Sequence, residues 1–181
     1  MDYQVFQFIN QFARINDVLD YFFIFCAQIL VLFLGFGVMG LAIVRLKKWG
    51  KEMFFDAAIG ASVALFINWV IPIFYHRPRP FVDHLVNQLV FKDSGDKSFP
   101  SDHAALSFAL AMAAYQYDKK WGSVFFIFAL FISLGRIASG IHYPFDVFGG
   151  AVIGVFSSFF VKRFLDSLLR KSGAVKSTES K

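Results

Sequence analysis

The chain has 181 residues, 57% of them hydrophobic, with 26 phenylalanines, one cysteine and a formal net charge of +5. A soluble domain of this size needs more charge on its outside, so the composition points to membrane integration. The lone Cys26, inside an apolar run, excludes an intramolecular disulfide and a zinc site built from cysteines.

In chain order, VFQFINQFARI comes first. It sets Val5, Phe8, Ile9, Phe12 and Ile15 at helical spacing. The pattern predicts an amphipathic helix at the membrane interface over residues 1–20. No charged leader with a short apolar stretch and a small-residue cleavage site opens the chain, so no removable signal peptide is expected. Five apolar segments follow, at 21–44, 54–75, 101–117, 122–138 and 144–164. Each approaches the roughly 17–25 residues that cross about 30 Å of hydrocarbon. The expected fold class is therefore an all-α integral membrane protein. Residues 21–168 would form a bundle of about five transmembrane helices behind the amphipathic helix. Within the last segment, Gly150 and Gly154 stand four apart, a spacing that permits close helix approach. The tail, residues 169–181, is small, polar and charged and is expected to be disordered.

The basic residues gather at the ends of the apolar runs and do not alternate with aromatics, so nucleic acid is not the expected partner. Arg45, Lys47, Lys48, Lys51, Lys119, Lys120, Lys162, Arg163, Arg170, Lys171, Lys176 and Lys181 fall on one side of the expected topology. The positive-inside tendency makes that side cytoplasmic. Arg14, Arg77, Arg79, Lys92, Lys97 and Arg136 fall on the other, together with three polar islands.

The first island is HRPRP, residues 76–80. Its prolines hold Arg79 in rigid extended chain, from which a guanidinium can present two donors to phosphate. The second is FPSDH, residues 99–103. Ser101 or Asp102 would cap a helix whose free N–H groups favour an anion, with His103 in the first turn. The third holds Arg136 at the end of one span, His142 in a loop and Asp146 in the first turn of the next, opened by Pro144. A carboxylate on one imidazole nitrogen would fix the tautomer and leave the other as a nucleophile. Arginines would stabilise the charge on phosphoryl oxygens, and a second histidine would serve as acid. Each island also has a plainer use: helix capping, headgroup contact or interfacial polarity. Intramembrane charge of this kind is nonetheless costly, and it marks functional sites.

Together, Arg79-Pro80, Pro100-Ser101-Asp102-His103 and Arg136-x5-His142-x3-Asp146 resemble the signature of the type 2 phosphatidic acid phosphatase family. That pattern reads Lys-x6-Arg-Pro, Pro-Ser-Gly-His and Ser-Arg-x5-His-x3-Asp. The resemblance implies a reaction that needs no metal or other cofactor and passes through a phosphohistidine. It implies His142 as nucleophile, Asp146 as its orienting partner and His103 as acid. It also implies Arg79, Ser101, Arg136 and donors around Asp102 as the phosphate cradle. The sequence departs from the pattern in three places. Pro72 stands where the family lysine belongs, with Arg77 and Lys97 as auxiliary candidates to replace it. Gly135 stands for serine, and Asp102 for glycine. The RPRPF and PSDH forms are similar to a bacterial undecaprenyl-diphosphatase branch linked to bacitracin resistance.

The expected partners are a lipid diphosphate and the bilayer, with no obligate protein partner evident. The expected location is a bacterial cell membrane, with the site outside and the C-terminus cytoplasmic. Phosphatidylglycerophosphate or phosphatidate is the alternative substrate. A non-catalytic lipid-phosphate binder would need the arginines but not the His142–Asp146 pair. A metallohydrolase would need more ligands at metal spacing than the chain offers.

Overall fold

The computed structural model describes residues 1–171 and contains helices and loops but no strands among them. A short helix, α1 (Asp2–Asn10), leads into α2 (Asp17–Ile24), a π-helical turn (Phe25–Ile29) and α3 (Leu30–Val44). The last three form one unbroken rod, Asp17–Val44. Asn16 caps its start, its side chain accepting from the Leu19 N–H. Then come α4 (Gly50–Phe74), the single turn α5 (Pro80–Asp83), α6 (Asp102–Tyr117), α7 (Lys119–Ala138) and α8 (Pro144–Lys171). The part of the expected disordered tail at 172–181 lies outside the described residues.

Among the described residues, four helices are long and apolar enough to cross a membrane: Asp17–Val44, Gly50–Phe74, Lys119–Ala138 and Pro144–Arg170. The multi-pass bundle is thus as expected, with one difference. The third predicted span is α6, which has only 16 residues and sits at the centre of the bundle against α4, α7 and α8. Its sequence explains that place. Ala104, Ala105, Ala109, Ala111, Ala113 and Ala114 are all fully buried, so backbones pack around it at close range. Gly150 and Gly154 of α8 turn this way: a Cβ at Gly150 would meet the Ser101 carbonyl oxygen, and one at Gly154 that of Ala105. Large apolar side chains go the other way. Phe36, Phe66, Trp69, Phe148, Phe156 and Phe160 stand exposed on the outside of the rods, where lipid would cover them.

The two ends of the bundle differ. At the end holding the α3–α4 and α6–α7 connections, Tyr117 donates to the buried Asp56 at 2.5 Å. Lys162 there donates to the Tyr117 oxygen at 3.2 Å and pairs with Asp166 at 3.3 Å. Buried charge of this sort holds only when paired, and this cluster ties α4, α6 and α8 together. At the other end, the three polar islands meet.

Candidate active site

The loop carrying His142 is set by how α7 ends. Gly140 has φ +79, and its N–H bonds the Ile137 carbonyl while the Ile141 N–H bonds that of Arg136. This pair of bonds is the Schellman motif, and its left-handed position favours glycine. A Cβ there would also meet the Asn87 carbonyl oxygen at 2.8 Å. The chain therefore reverses at once, bringing His142 back beside Arg136. Pro144 then opens α8, and Asp146 in its first turn reaches back to accept the Tyr143 N–H at 2.7 Å. That is one half of a capping box.

His142 is 2% exposed. Its Nε2 faces Arg136 Nη2 at 3.3 Å and Arg79 Nη1 at 3.4 Å. Arginine can only donate, so Nε2 is the lone-pair nitrogen and the ring proton sits on Nδ1. Burial pushes this imidazole down to about 4; the Arg136 and Arg79 charges act in the same direction and Asp146 opposes them. His142 is thus neutral at neutral pH, with its lone pair aimed between two cations.

Asp146 is fully buried and lies on the Nδ1 side, but at 3.7 Å, beyond hydrogen-bond range. The expected direct hydrogen bond is replaced by three other donors. Arg77 Nη1 donates to Oδ1 at 2.8 Å, and Ser98 Oγ (2.6 Å) and the Tyr143 N–H share Oδ2. The carboxylate thus acts on His142 through its charge.

Arg77, an auxiliary candidate for phosphate contact, is placed elsewhere: it bridges Asp146 and Asp2. Lys97, the other candidate, lies at the start of α6, where Nζ donates to Asp102 Oδ1 at 2.6 Å and to the Pro100 carbonyl at 2.7 Å. Pro72 stands within α4, in its last turn. Asp102 also accepts from Asn68 at 3.0 Å, so its side chain is engaged sideways and is not a cap. Ser101 makes no side-chain cap either; its hydroxyl is fully buried and has no hydrogen-bond partner. The first-turn N–H groups of α6 are therefore free for an anion. His103 is partly exposed in that turn; burial first, and then the charges of Arg136 and His142, push its imidazole down to about 3. His76 of the first island is exposed.

The two arginines are held by carbonyls. Arg79 Nη1 donates to the Ile141 carbonyl at 2.8 Å, and Arg136 Nη1 to that of Ala27 at 3.2 Å. Asp96 lies 3.9 Å from Arg79 and is half exposed. Ser98, Asn68, Asp2 and Ala27 were not singled out from the sequence. Ser98 and Asn68 carried no motif, and the Ala27 contact depends on a π-helical turn with no local sequence mark. Beside the cluster runs an apolar groove of about 720 Å³ lined by Tyr75, Phe99, Phe145, Phe148, Val152 and Ile153, with Asp2 and Arg77 at its polar side. Two buried cations, a neutral imidazole lone pair, an uncapped helix start and an apolar groove can together hold and attack a phosphate carried on a hydrocarbon chain.

The chain resembles known proteins in sequence and in fold. Residues 53–170 match the PAP2 superfamily. The undecaprenyl-diphosphatase BcrC of Bacillus subtilis is 32% identical over 174 residues, covering 93% of this chain and 86% of that protein. The putative undecaprenyl-diphosphatase YbjG of Escherichia coli is 32% identical over 123 residues, 65% of this chain and 62% of its own length. Among solved structures, LpxE of Aquifex aeolicus superposes with a TM-score of 0.72 at 27% identity, over 90% of this chain and 94% of that one.

Proposed function

The chain belongs to the PAP2 superfamily and is a membrane lipid phosphatase, and from that premise we propose that it hydrolyses undecaprenyl diphosphate to undecaprenyl phosphate and phosphate through a phosphohistidine on His142. One observation carries the mechanism: Arg79 and Arg136, both buried, converge on Nε2 of a buried neutral histidine. That geometry supports a phosphoryl group seated between the guanidiniums and the start of α6.

In the first step the Nε2 lone pair attacks the terminal phosphorus, and the bond from phosphorus to the bridging oxygen breaks. Arg79, Arg136, the Ser101 hydroxyl and the first N–H groups of α6 hold the three non-bridging oxygens. His103, whose imidazole is raised by the negative charge of the bound diphosphate, gives its proton to the departing oxygen of the lipid monophosphate. Asp146 balances the positive charge that forms on the imidazole. In the second step water attacks the phosphohistidine while His103 takes the water's proton. Phosphate leaves and neutral His142 is restored. Lys97 takes the place of the family lysine, brought to the phosphate end of α6 from the neighbouring loop. Asp102 partners it, so the added acid and the relocated base cancel.

The substrate assignment rests on the names of the two curated relatives and on the groove, which suits a long hydrocarbon. The loop charges support a site on the outer face and a cytoplasmic C-terminus.

The test is phosphate release by purified protein across prenyl diphosphates and glycerolipid phosphates, with His142→Ala in parallel. Undecaprenyl diphosphate is expected to be the best substrate, and the variant to lose at least about a thousandfold in kcat. An acid-labile phosphoprotein should be trapped in the wild type alone. Unchanged turnover by the variant would sink the mechanism. Preference for a glycerolipid phosphate would move the substrate and leave the mechanism standing.

A further inference from the structure

Helix α1 does more than lie beside the bundle. Its Asp2 Oδ2 pairs with Arg77 Nη2 at 2.6 Å, and Arg77 Nη1 in turn holds Asp146 at 2.8 Å. The other Asp2 oxygen accepts the Phe145 N–H at 3.0 Å. Phe145 is the second residue of α8, so its N–H is one of the donors a helix start leaves without an internal partner. Asp2 therefore caps α8 from a distance of 143 residues in sequence. The Arg77 guanidinium also lies 4.0 Å from the ring centre of Tyr143, against which Phe6 of α1 packs. At its far end α1 is pinned by Asn10, whose side chain donates to the Ala138 and Asn87 carbonyls at 2.8 Å each. The helix thus touches the residues on both sides of His142: Ala138 before it, and Tyr143 and Phe145 after it.

We propose that Asp2, acting through Arg77, is a positioning residue for Asp146, and that α1 is a working part of the catalytic loop. The inference rests on the phosphohistidine mechanism. Asp146 stands 3.7 Å from His142, with no hydrogen bond to fix that separation, so its position depends on its other partners. Ser98 and the Tyr143 N–H hold one oxygen, and Arg77 alone holds the other. A guanidinium anchored at one end by Asp2 presents a fixed donor to Asp146. Released from Asp2, the same side chain has a competing position toward solvent and the groove.

The experiment is steady-state kinetics on undecaprenyl diphosphate with the full chain, for Asp2→Asn, Asp2→Glu, Arg77→Gln and the Asp2→Asn/Arg77→Gln pair. Thermal midpoints in detergent are measured alongside, and His142→Ala serves as control. Asp2→Asn is expected to lower kcat about tenfold, in line with loss of one charge-assisted contact, while KM stays within twofold. Asp2→Glu should recover most of that loss, and the double variant should be no worse than Arg77→Gln alone. Four results overturn the proposal: unchanged kcat in Asp2→Asn, a loss confined to KM, strict additivity in the double variant, or a kcat loss that only follows a lowered thermal midpoint. These differ from failure of the underlying mechanism, which shows as activity retained by His142→Ala.

Discussion

As the proposed nucleophile, His142 meets two demands that ordinarily conflict, since such an imidazole must stay neutral while sitting close to the place proposed for an anion. Burial answers the first and the flanking guanidiniums answer both, which is why its titration is moved down to about 4. The sign has a direct consequence. A lowered value keeps Nε2 free of its proton as pH falls through 6.5, and attack is lost only when pH passes through the folded value. The acid limb of kcat/KM should therefore lie near pH 4, well below the ordinary histidine range, when measured with a buffer series at constant ionic strength. A limb at 6–7 would mean a solvated imidazole and another arrangement of charges. The clustering of Arg79, Arg136, His142 and Asp146 was legible in sequence because these residues stand in short motifs in an apolar setting where they are costly. Their partners were not: the sequence offers Arg77 as an auxiliary candidate for the family lysine, whereas it lies between Asp2 and Asp146. A contact between positions 2 and 77 leaves no local periodicity or motif to read.

Among the elements, the rod Asp17–Val44 and helix α7 show how a departure from the family pattern is accommodated. Gly135, where the family carries serine, faces the π-helical turn, and a Cβ there would meet the Cys26 Cβ at 2.7 Å and the Ala27 nitrogen at 2.8 Å. The next residue is Arg136, whose guanidinium takes the Ala27 carbonyl. A π-helical turn disturbs the regular hydrogen-bond ladder, and such turns recur at functional sites. Here the missing side chain lets the turn approach closely enough for its carbonyl to hold the arginine. Gly135→Ser should therefore be harmful despite restoring the family residue. An overpacking cost of about 1–3 kcal/mol should lower the thermal midpoint in detergent. A severalfold loss of kcat should come with it, as Arg136 shifts. A variant with wild-type stability and rate would separate the glycine from the arginine. The long spans were readable from apolar length alone. The turn was not, because FCAQI has no residue that excludes a regular helix. Helix α6 was readable as apolar, but its central place follows from alanines that matter only once neighbours surround them.

For the molecule as a whole, the proposed orientation can be checked directly. Cys26 is buried, so its background labelling should be low. Ser94→Cys, in the exposed loop before α6, should react with an impermeant maleimide on intact cells, whereas Lys48→Cys should react only after permeabilisation. The opposite pattern would invert the topology and put the site inside. The bundle is bound by charge at both ends, through Asp56, Tyr117 and Lys162 at one and Asp146, Arg77 and Asp2 at the other. Between them stands the shortest of the packed rods, α6, with 16 residues against 25 in α4 and 28 in α8. At 1.5 Å per residue it measures about 24 Å, some 6 Å less than the hydrocarbon layer its neighbours cross. A helix of that length does not cross the layer alone, so the loop before α6, which carries Lys97 and Ser98, makes up the difference at the end proposed to seat the phosphate. The proposed seat is thus framed by loop on one side and by a buried helix start on the other, a setting that would favour a phosphate tethered to lipid over a freely soluble ester.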